Sequence, residues 1–275
     1  MELVVFDLDG TLLNSKQSLS EFTCRTLELL QDAGIAYTIA TGRTRLAALP
    51  CLAGHTFPNV QIFKNGVEWW DPNATAYRHR CFLSPHHIAD SLAHFQQEEI
   101  TPFVFCLEED GRHTIYHTPS ANTLSDAILN ESLTHPDVTL KPLNQLKENA
   151  KITNISAIGQ PDAVARIVNS TQETAHLTAY SGGGIYNKDA YWLDIHHSDA
   201  CKGSAIKILK QELGLSRIIC FGDGDNDLSM FAMSDESYAM ENASPLVKAA
   251  ANQVIGHHDA DGVAHFLRQR FDLGR

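Results

Sequence analysis

The sequence predicts an α/β protein: a doubly wound, Rossmann-like parallel sheet interrupted by an inserted α+β module. Three observations predict it. Up to Gly66 the chain alternates strand, helix, strand, helix, strand with short links, the rhythm of a parallel sheet wrapped by helices. From Val67 it changes to paired strands interleaved with helices. From about Cys201 the first rhythm returns. The changed stretch is therefore an insertion, placed at 80–188, and the core is 1–79 with 189–275.

Leu3 to Phe6 is apolar and β-favouring, a buried strand. It runs into Asp7-Leu8-Asp9-Gly10-Thr11, two carboxylates at i, i+2 followed by a glycine that allows a sharp turn. Ser20 caps a helix over 20–33, with Leu27, Leu29 and Leu30 apolar and Gly34 as its stop. A short strand over 35–40 ends in Thr41-Gly42-Arg43, followed by a helix over 44–53. A third strand over 60–63 ends at the turn dipeptide Asn65-Gly66.

A hairpin over 67–70 and 76–80 follows. The insertion then reads as a helix over 85–98, strands over 102–107 and 112–118 around Glu109-Asp110-Gly111, and a helix over 120–131. Strands over 138–142 and 151–158, a helix over 161–174, and strands over 175–180 and 185–196 complete it. The returning core opens with Lys202-Gly203 on a helix to Leu213, then a strand over 217–221 ending in Gly222-Asp223-Gly224-Asp225-Asn226-Asp227. A helix over 228–233, a strand over 237–240, a helix over 245–251, a strand over 253–255 and a helix over 262–270 finish the chain.

At 275 residues the chain suits one large or two smaller domains and buries a sizeable core. A formal charge of −12 argues against nucleic acid or an anionic membrane as main partner. It leaves room for a small anion at a locally positive site. Cys24, Cys51, Cys81, Cys106, Cys201 and Cys220 are scattered without a Cys-x-x-Cys pair, which disfavours a disulfide framework or zinc site. No basic leader with an apolar run and no bilayer-spanning stretch is seen, so cytoplasmic location is expected.

Ligands of an open parallel sheet bind beyond the carboxyl ends of its strands. Asp7 and Asp9, Thr41-Gly42, and Asp223 to Asp227 all fall there, while Lys202 lies at a helix start. Converging acids call for a cation, and hard oxygen ligands suit Mg²⁺. Asp7 or Asp9 could attack phosphorus, the other moving protons to the leaving oxygen and from water. Thr41 and Gly42 could hold phosphoryl oxygens. Lys202 could offset carboxylate and phosphate, Asn226 could donate to the phosphoryl group, and Asp227 could orient Lys202 or a metal-bound water. Each feature also has a bland reading: an Asp-Gly turn, a strand-to-helix turn, a solvated lysine, an acidic loop. The acidic loop is no EF-hand, because the twelfth position is Ser234.

Taken together, Asp7-Leu8-Asp9-Gly10-Thr11, Thr41-Gly42, Lys202-Gly203 and Gly222 to Asp227 resemble the four motifs of haloacid dehalogenase-like phosphatases. The insertion resembles the large cap of the Cof-type subgroup. Asn65-Gly66, Ala239-Met240-Glu241-Asn242-Ala243 and Asp261-Gly262-Val263 are similar to it as well. The resemblance implies Asp7 as nucleophile and Asp9 as general acid/base. It implies Mg²⁺ held by Asp7, the Asp9 carbonyl and Asp223, phosphate held by Thr41, Gly42, Lys202 and Asn226, and Asp227 in support. Glu241 departs from the small residue usual there.

The expected function is a Mg²⁺-dependent phosphatase of a small phosphate monoester, such as a sugar phosphate, pyridoxal phosphate or flavin mononucleotide. A phosphotransferase or mutase using the same aspartyl phosphate, or a non-catalytic phosphometabolite binder, are the alternatives. Other features are read blandly. The pairs His86-His87, His196-His197 and His257-His258 suit a solvated surface. Ser181 to Gly184 suits a turn, Trp69 and Trp70 packing, and Arg43 a helix-start arginine that pairs with an acid or reaches a phosphate.

Overall fold

The computed structural model describes residues 2–52, 54–108, 112–119, 125–126, 138–183 and 190–274. Its strands are β1 (Glu2–Phe6), β2 (Ala36–Ile39), β3 (Gln61–Phe63), β4 (Glu68–Asp71), β5 (Ala76–His79), β6 (Phe103–Leu107), β7 (His113–His117), β8 (Val138–Pro142), β9 (Lys151–Gly159), β10 (Leu177–Gly183), β11 (Tyr191–His197), β12 (Arg217–Gly222), β13 (Glu236–Met240) and β14 (Gln253–Ile255). The chain forms two compact units, Met1–Arg80 with Ala200–Arg275, and Cys81–Asp199.

The first unit is the expected α/β core. Its five-stranded sheet has the order β14-β13-β12-β1-β2, and every pairing is parallel. Alternation along β1 shows why helices cover both faces. Val4 and Phe6 pack with Leu27, Leu30 and Leu267, whereas Leu3 and Val5 pack with Ile206, Leu209 and Met230. β12 divides in the same way, Ile219 and Phe221 to one face, Ile218 and Cys220 to the other. Truncating one of these buried leucines to alanine costs about 2–5 kcal/mol.

Local signals set the helix ends. Ser20 accepts from Thr23 N at the start of Glu21–Asp32, and Ser244 accepts from Val247 N ahead of Pro245–Ala250. The helix expected over 44–53 shortens to Arg45–Ala48, continued as a 3₁₀ turn over Leu49–Leu52. Pro50 explains the change, because it lacks an N–H for the helical ladder. The third strand is not a full member of the parallel sheet. β3 pairs antiparallel with β4 in a small sheet β3-β4-β5, and meets the main sheet through one bridge, Ala40 to Ile62.

The second unit is the α+β insertion. Its six-stranded sheet runs β10-β11-β9-β6-β7-β8, antiparallel except for the β7/β8 pair. Helices Pro85–Gln97 and Pro161–Gln172 share one face with it, where Ile88, Phe95, Val164 and Ile167 pack against Val104, Ile155, Leu193 and Ile195. The unit runs past the expected boundary at 188 because β11 pairs with both β9 and β10. Ser181 to Gly183 are the end of β10, in register with Leu193 to Tyr191, rather than a turn. The expected turn at Glu109-Asp110-Gly111 lies outside the described residues, as does most of the helix expected over 120–131.

Candidate active site

Because the core strands are parallel, their carboxyl ends share one edge. Asp7 follows β1, Thr41 lies just beyond β2, Asp223 follows β12, and Asn242 lies just beyond β13. The loops between them decide which side chains meet.

At the centre is Lys202, fully buried at the first position of helix Lys202–Glu212. Its Nζ donates to Asp7 Oδ1 at 2.5 Å and to Asp227 Oδ1 at 2.7 Å. The expected bland reading of a solvated lysine is thereby excluded. Gly203 is part of the cause: a Cβ there would lie 2.1 Å from the Ser229 carbonyl oxygen, so only glycine lets this helix approach the next one.

Burial alone would push the Lys202 ammonium down, but Asp227 and Asp7 outweigh it and hold it above its ordinary range. Asp7 is raised well above the carboxylate range. Burial drives it up, Lys202 pulls it back, and Asp227 and Asp223 push it up again. Asp223 is raised to about 6, chiefly by burial and then by Asp227. One ammonium thus serves several carboxylates.

Asp227 is committed on both oxygens. Oδ1 takes Lys202, and Oδ2 accepts from Asp223 N and Gly224 N, each at 3.0 Å. It closes the loop and fixes the lysine. One oxygen each of Asp7, Asp223 and Asp227 lies within 4.8 Å of the others. With Asp227 spoken for, Asp7 and Asp223 are the pair that could hold a metal. An all-oxygen donor set with uncompensated negative charge fits Mg²⁺. Gly10 permits the approach: its φ is +69°, and a Cβ there would sit 2.2 Å from Asp223 Oδ2.

The remaining predicted residues form a second group that touches the acidic loop. Asn226 Nδ2 donates to Asn65 Oδ1 at 2.9 Å, and a Cβ on Gly42 would lie 3.4 Å from that same oxygen. Thr41 is buried, and its Oγ1 accepts from Arg43 N at 3.1 Å. Asp9 stands apart. Its half-exposed carboxylate is held by Arg43, Nε to Oδ2 at 2.7 Å and Nη2 to Oδ1 at 2.6 Å. Arg43 therefore takes the acid-pairing role.

Three partners were not anticipated as such. Thr11 Oγ1 donates to Asp223 Oδ1 at 3.3 Å. Asn242 Nδ2 donates to the Gly10 carbonyl at 2.8 Å and to Asp223 Oδ2 at 3.2 Å. Asn65 buttresses Asn226. Asn65 and Asn242 both lie in stretches singled out by family resemblance, but spacing alone could not say what they touch.

Comparison with known proteins gives the family and the fold. Residues 4–267 match the family model of haloacid dehalogenase-like hydrolases. The chain belongs to that family. As a haloacid dehalogenase-like hydrolase it is 30% identical over 280 residues to an HMP-PP phosphatase of Escherichia coli O6:H1, a match covering 98% of this chain and 96% of that protein. Its fold matches a haloacid dehalogenase-like hydrolase from B. subtilis with a TM-score of 0.77 at 23% identity, over 98% and 99% of the two chains. A sugar phosphatase of haloacid dehalogenase subclass IIB gives a TM-score of 0.77 at 19% identity, covering 99% of each chain. Both are likenesses of fold.

Proposed function

We propose that this hydrolase is a Mg²⁺-dependent phosphatase of small-molecule phosphate monoesters, working through an aspartyl phosphate on Asp7. The observation that carries the reading is Lys202 buried between Asp7 and Asp227, with Asp223 beside them. A cluster of carboxylates around one ammonium is a poor structural choice unless cations and anions are to be exchanged there.

In the first step Asp7 attacks phosphorus. The new Oδ–P bond forms as the ester P–O bond breaks; Asp9, released from the Arg43 fork and protonated from solvent, gives that proton to the leaving oxygen. In the second, water attacks phosphorus, Asp9 takes the water's proton, and the Oδ–P bond breaks to release inorganic phosphate. Lys202 holds the Asp7 carboxylate in line and meets charge that develops on the phosphoryl oxygens. Thr41, the Gly42 N–H and Asn226 hold the phosphoryl group, with Asn65 fixing the Asn226 amide. Mg²⁺ on Asp7, Asp223 and the Asp9 carbonyl would neutralise the negative charge of substrate and carboxylate together.

The test is phosphate release by the purified protein with Mg²⁺ from sugar phosphates, pyridoxal phosphate, flavin mononucleotide, nucleotides and HMP-PP. Turnover of at least one small ester is expected. No release from any of them overturns the phosphatase reading, and full activity in Asp7→Asn overturns the covalent mechanism alone.

A further inference from the structure

The loop between β14 and the last helix, Gly262–Arg270, carries groups that the proposed chemistry does not use. His257 and His258 meet there at a change of backbone. His257 is extended, with φ −67° and ψ 145°, and caps the 3₁₀ turn His258–Ala260. Two adjacent histidines in one strand point to opposite faces, and in one helix they diverge. This junction instead brings them together, with ring centroids 4.7 Å apart. Of the histidine pairs read as solvated surface, this one is partly exposed, whereas His196 is fully buried.

Asp259 stands beside the same pair. Its Oδ2 lies 4.0 Å from His257 Nδ1 and 3.8 Å from His258 Nε2. One ligating atom of each of the three residues lies within 4.8 Å of the others. Donor atoms held around an ion at about 2.1 Å are separated by about 3.4 Å, so small side-chain rotations close the gap. His258 Nδ1 lies 2.9 Å from the Leu13 carbonyl, which places the proton on Nδ1 and the lone pair on Nε2. His257 Nδ1 accepts from Asp259 N at 3.1 Å, so its lone pair is on the Asp259 side as well. A metal there replaces that one local bond and leaves an exposed N–H to water. Asp259 is gripped in turn: Ser15 N donates to Oδ1 at 2.7 Å, and Ser15 Oγ to Oδ2 at 2.5 Å. An imidazole oriented by a carbonyl on its far nitrogen, and a carboxylate oriented by a hydroxyl, are the supports that metal ligands use.

We propose that His257, His258 and Asp259 form a site for a divalent transition ion of the Zn²⁺ class, separate from the oxygen ligands of Asp7 and Asp223. Two imidazole nitrogens and one carboxylate suit Zn²⁺ or Co²⁺ rather than Mg²⁺, which takes oxygen. Three protein ligands leave a fourth position for water. A histidine pair can also hold an anion when protonated, but the Asp259 carboxylate 3.8 Å and 4.0 Å from the two rings repels one. Through Leu13 and Ser15 the ion ties the chain after the first acidic turn to the loop before the last helix. His258 N donates to Asn242 Oδ1, and Asn242 Nδ2 donates to Asp223 Oδ2, each at 3.2 Å. One side chain thus joins the histidine site to the acidic cluster. The inference rests on the loop alone and stands whatever chemistry Asp7 performs.

The experiment uses the full chain, freed of metal and then held in excess Mg²⁺ to fill the acidic cluster. Co²⁺ is titrated in and followed by its visible absorption. Saturation at one Co²⁺ per chain is expected, with ligand-field bands, no thiolate-to-metal band, and displacement by Zn²⁺. His257→Gln and His258→Gln should each weaken binding by more than about tenfold, and Ser15→Ala, which keeps the backbone bond to Asp259, by about tenfold. His86→Gln and Asp223→Asn leave it unchanged. In NMR spectra of the histidine-labelled wild type, Co²⁺ should broaden His257 and His258 ahead of every other histidine, a readout that needs no variant to fold. Zn²⁺ should raise the melting temperature of the wild type but not of His258→Gln. Binding that survives both histidine variants, that is lost in Asp223→Asn, or that shows a thiolate band overturns the proposal.

Discussion

Arg43 grips Asp9 through two parallel bonds, Nε to one carboxylate oxygen and Nη2 to the other. Such a fork fixes a carboxylate's plane as well as its position. Arg43→Lys keeps the charge but not the fork. We expect kcat to fall about tenfold with a smaller change in KM, part of the 10²–10⁴ that a positioned acid-base group contributes. Steady-state kinetics on the best ester checks it, and an unchanged kcat would show that the fork is incidental.

Lys202 bridges two buried carboxylates. Lys202→Met leaves Asp7 and Asp227 uncompensated and should cost about 3–5 kcal/mol in urea unfolding. Adding Asp7→Asn to that variant should recover part of the loss. If the double variant is no more stable than the single, the cost arises from packing of the methionine instead.

Asp223 titrates at about 6 in the folded chain against an ordinary 3.8. Between those values the folded state keeps a proton that the unfolded state has released. Stability of the metal-free protein therefore falls as pH rises from about 4 to about 6, and the loss stays in full above that. The limit is about 3 kcal/mol. Asp223→Asn should remove this component, so the difference between variant and wild type grows across the window. Adding Mg²⁺ at pH 7 should raise the melting temperature of the wild type more than that of the variant. Parallel pH curves for the two proteins would contradict the assignment.

Asn65 has a φ of +53° and supports Asn226 through a single acceptor. Asn65→Gly keeps that backbone accessible while deleting the acceptor. KM for the phosphate ester should rise roughly three- to tenfold, as expected for a lost hydrogen bond of about 1 kcal/mol. A change confined to kcat would assign Asn65 a different role.

The parallel core was legible because strand and helix periods, caps and glycine stops agree along it. Leu3 to Phe6 and the Ser20 cap show that agreement directly. The acidic and basic groups of the site were legible because each sits at a strand or helix end. What spacing could not give was partnership across long separations. Asp9 is 34 residues from Arg43, and Asn65 is 161 from Asn226. The strand over 60–63 was misassigned to the main sheet because an apolar run does not reveal its neighbour. Burial of His196 was missed because a histidine on a strand carries no mark of what covers it.

β1 finds its partner β12 only after more than two hundred residues, Leu3 lying beside Ile218. The second unit, by contrast, is one unbroken stretch, Cys81–Asp199. During synthesis from the N-terminus that stretch is complete while the core sheet still lacks its middle strand. The inserted unit can therefore fold on the ribosome first, and Asp7 waits for the last quarter of the chain before it meets Lys202 and Asp223. A nascent chain halted before β12 holds the whole Cys81–Asp199 stretch but lacks Asp223 and Asp227.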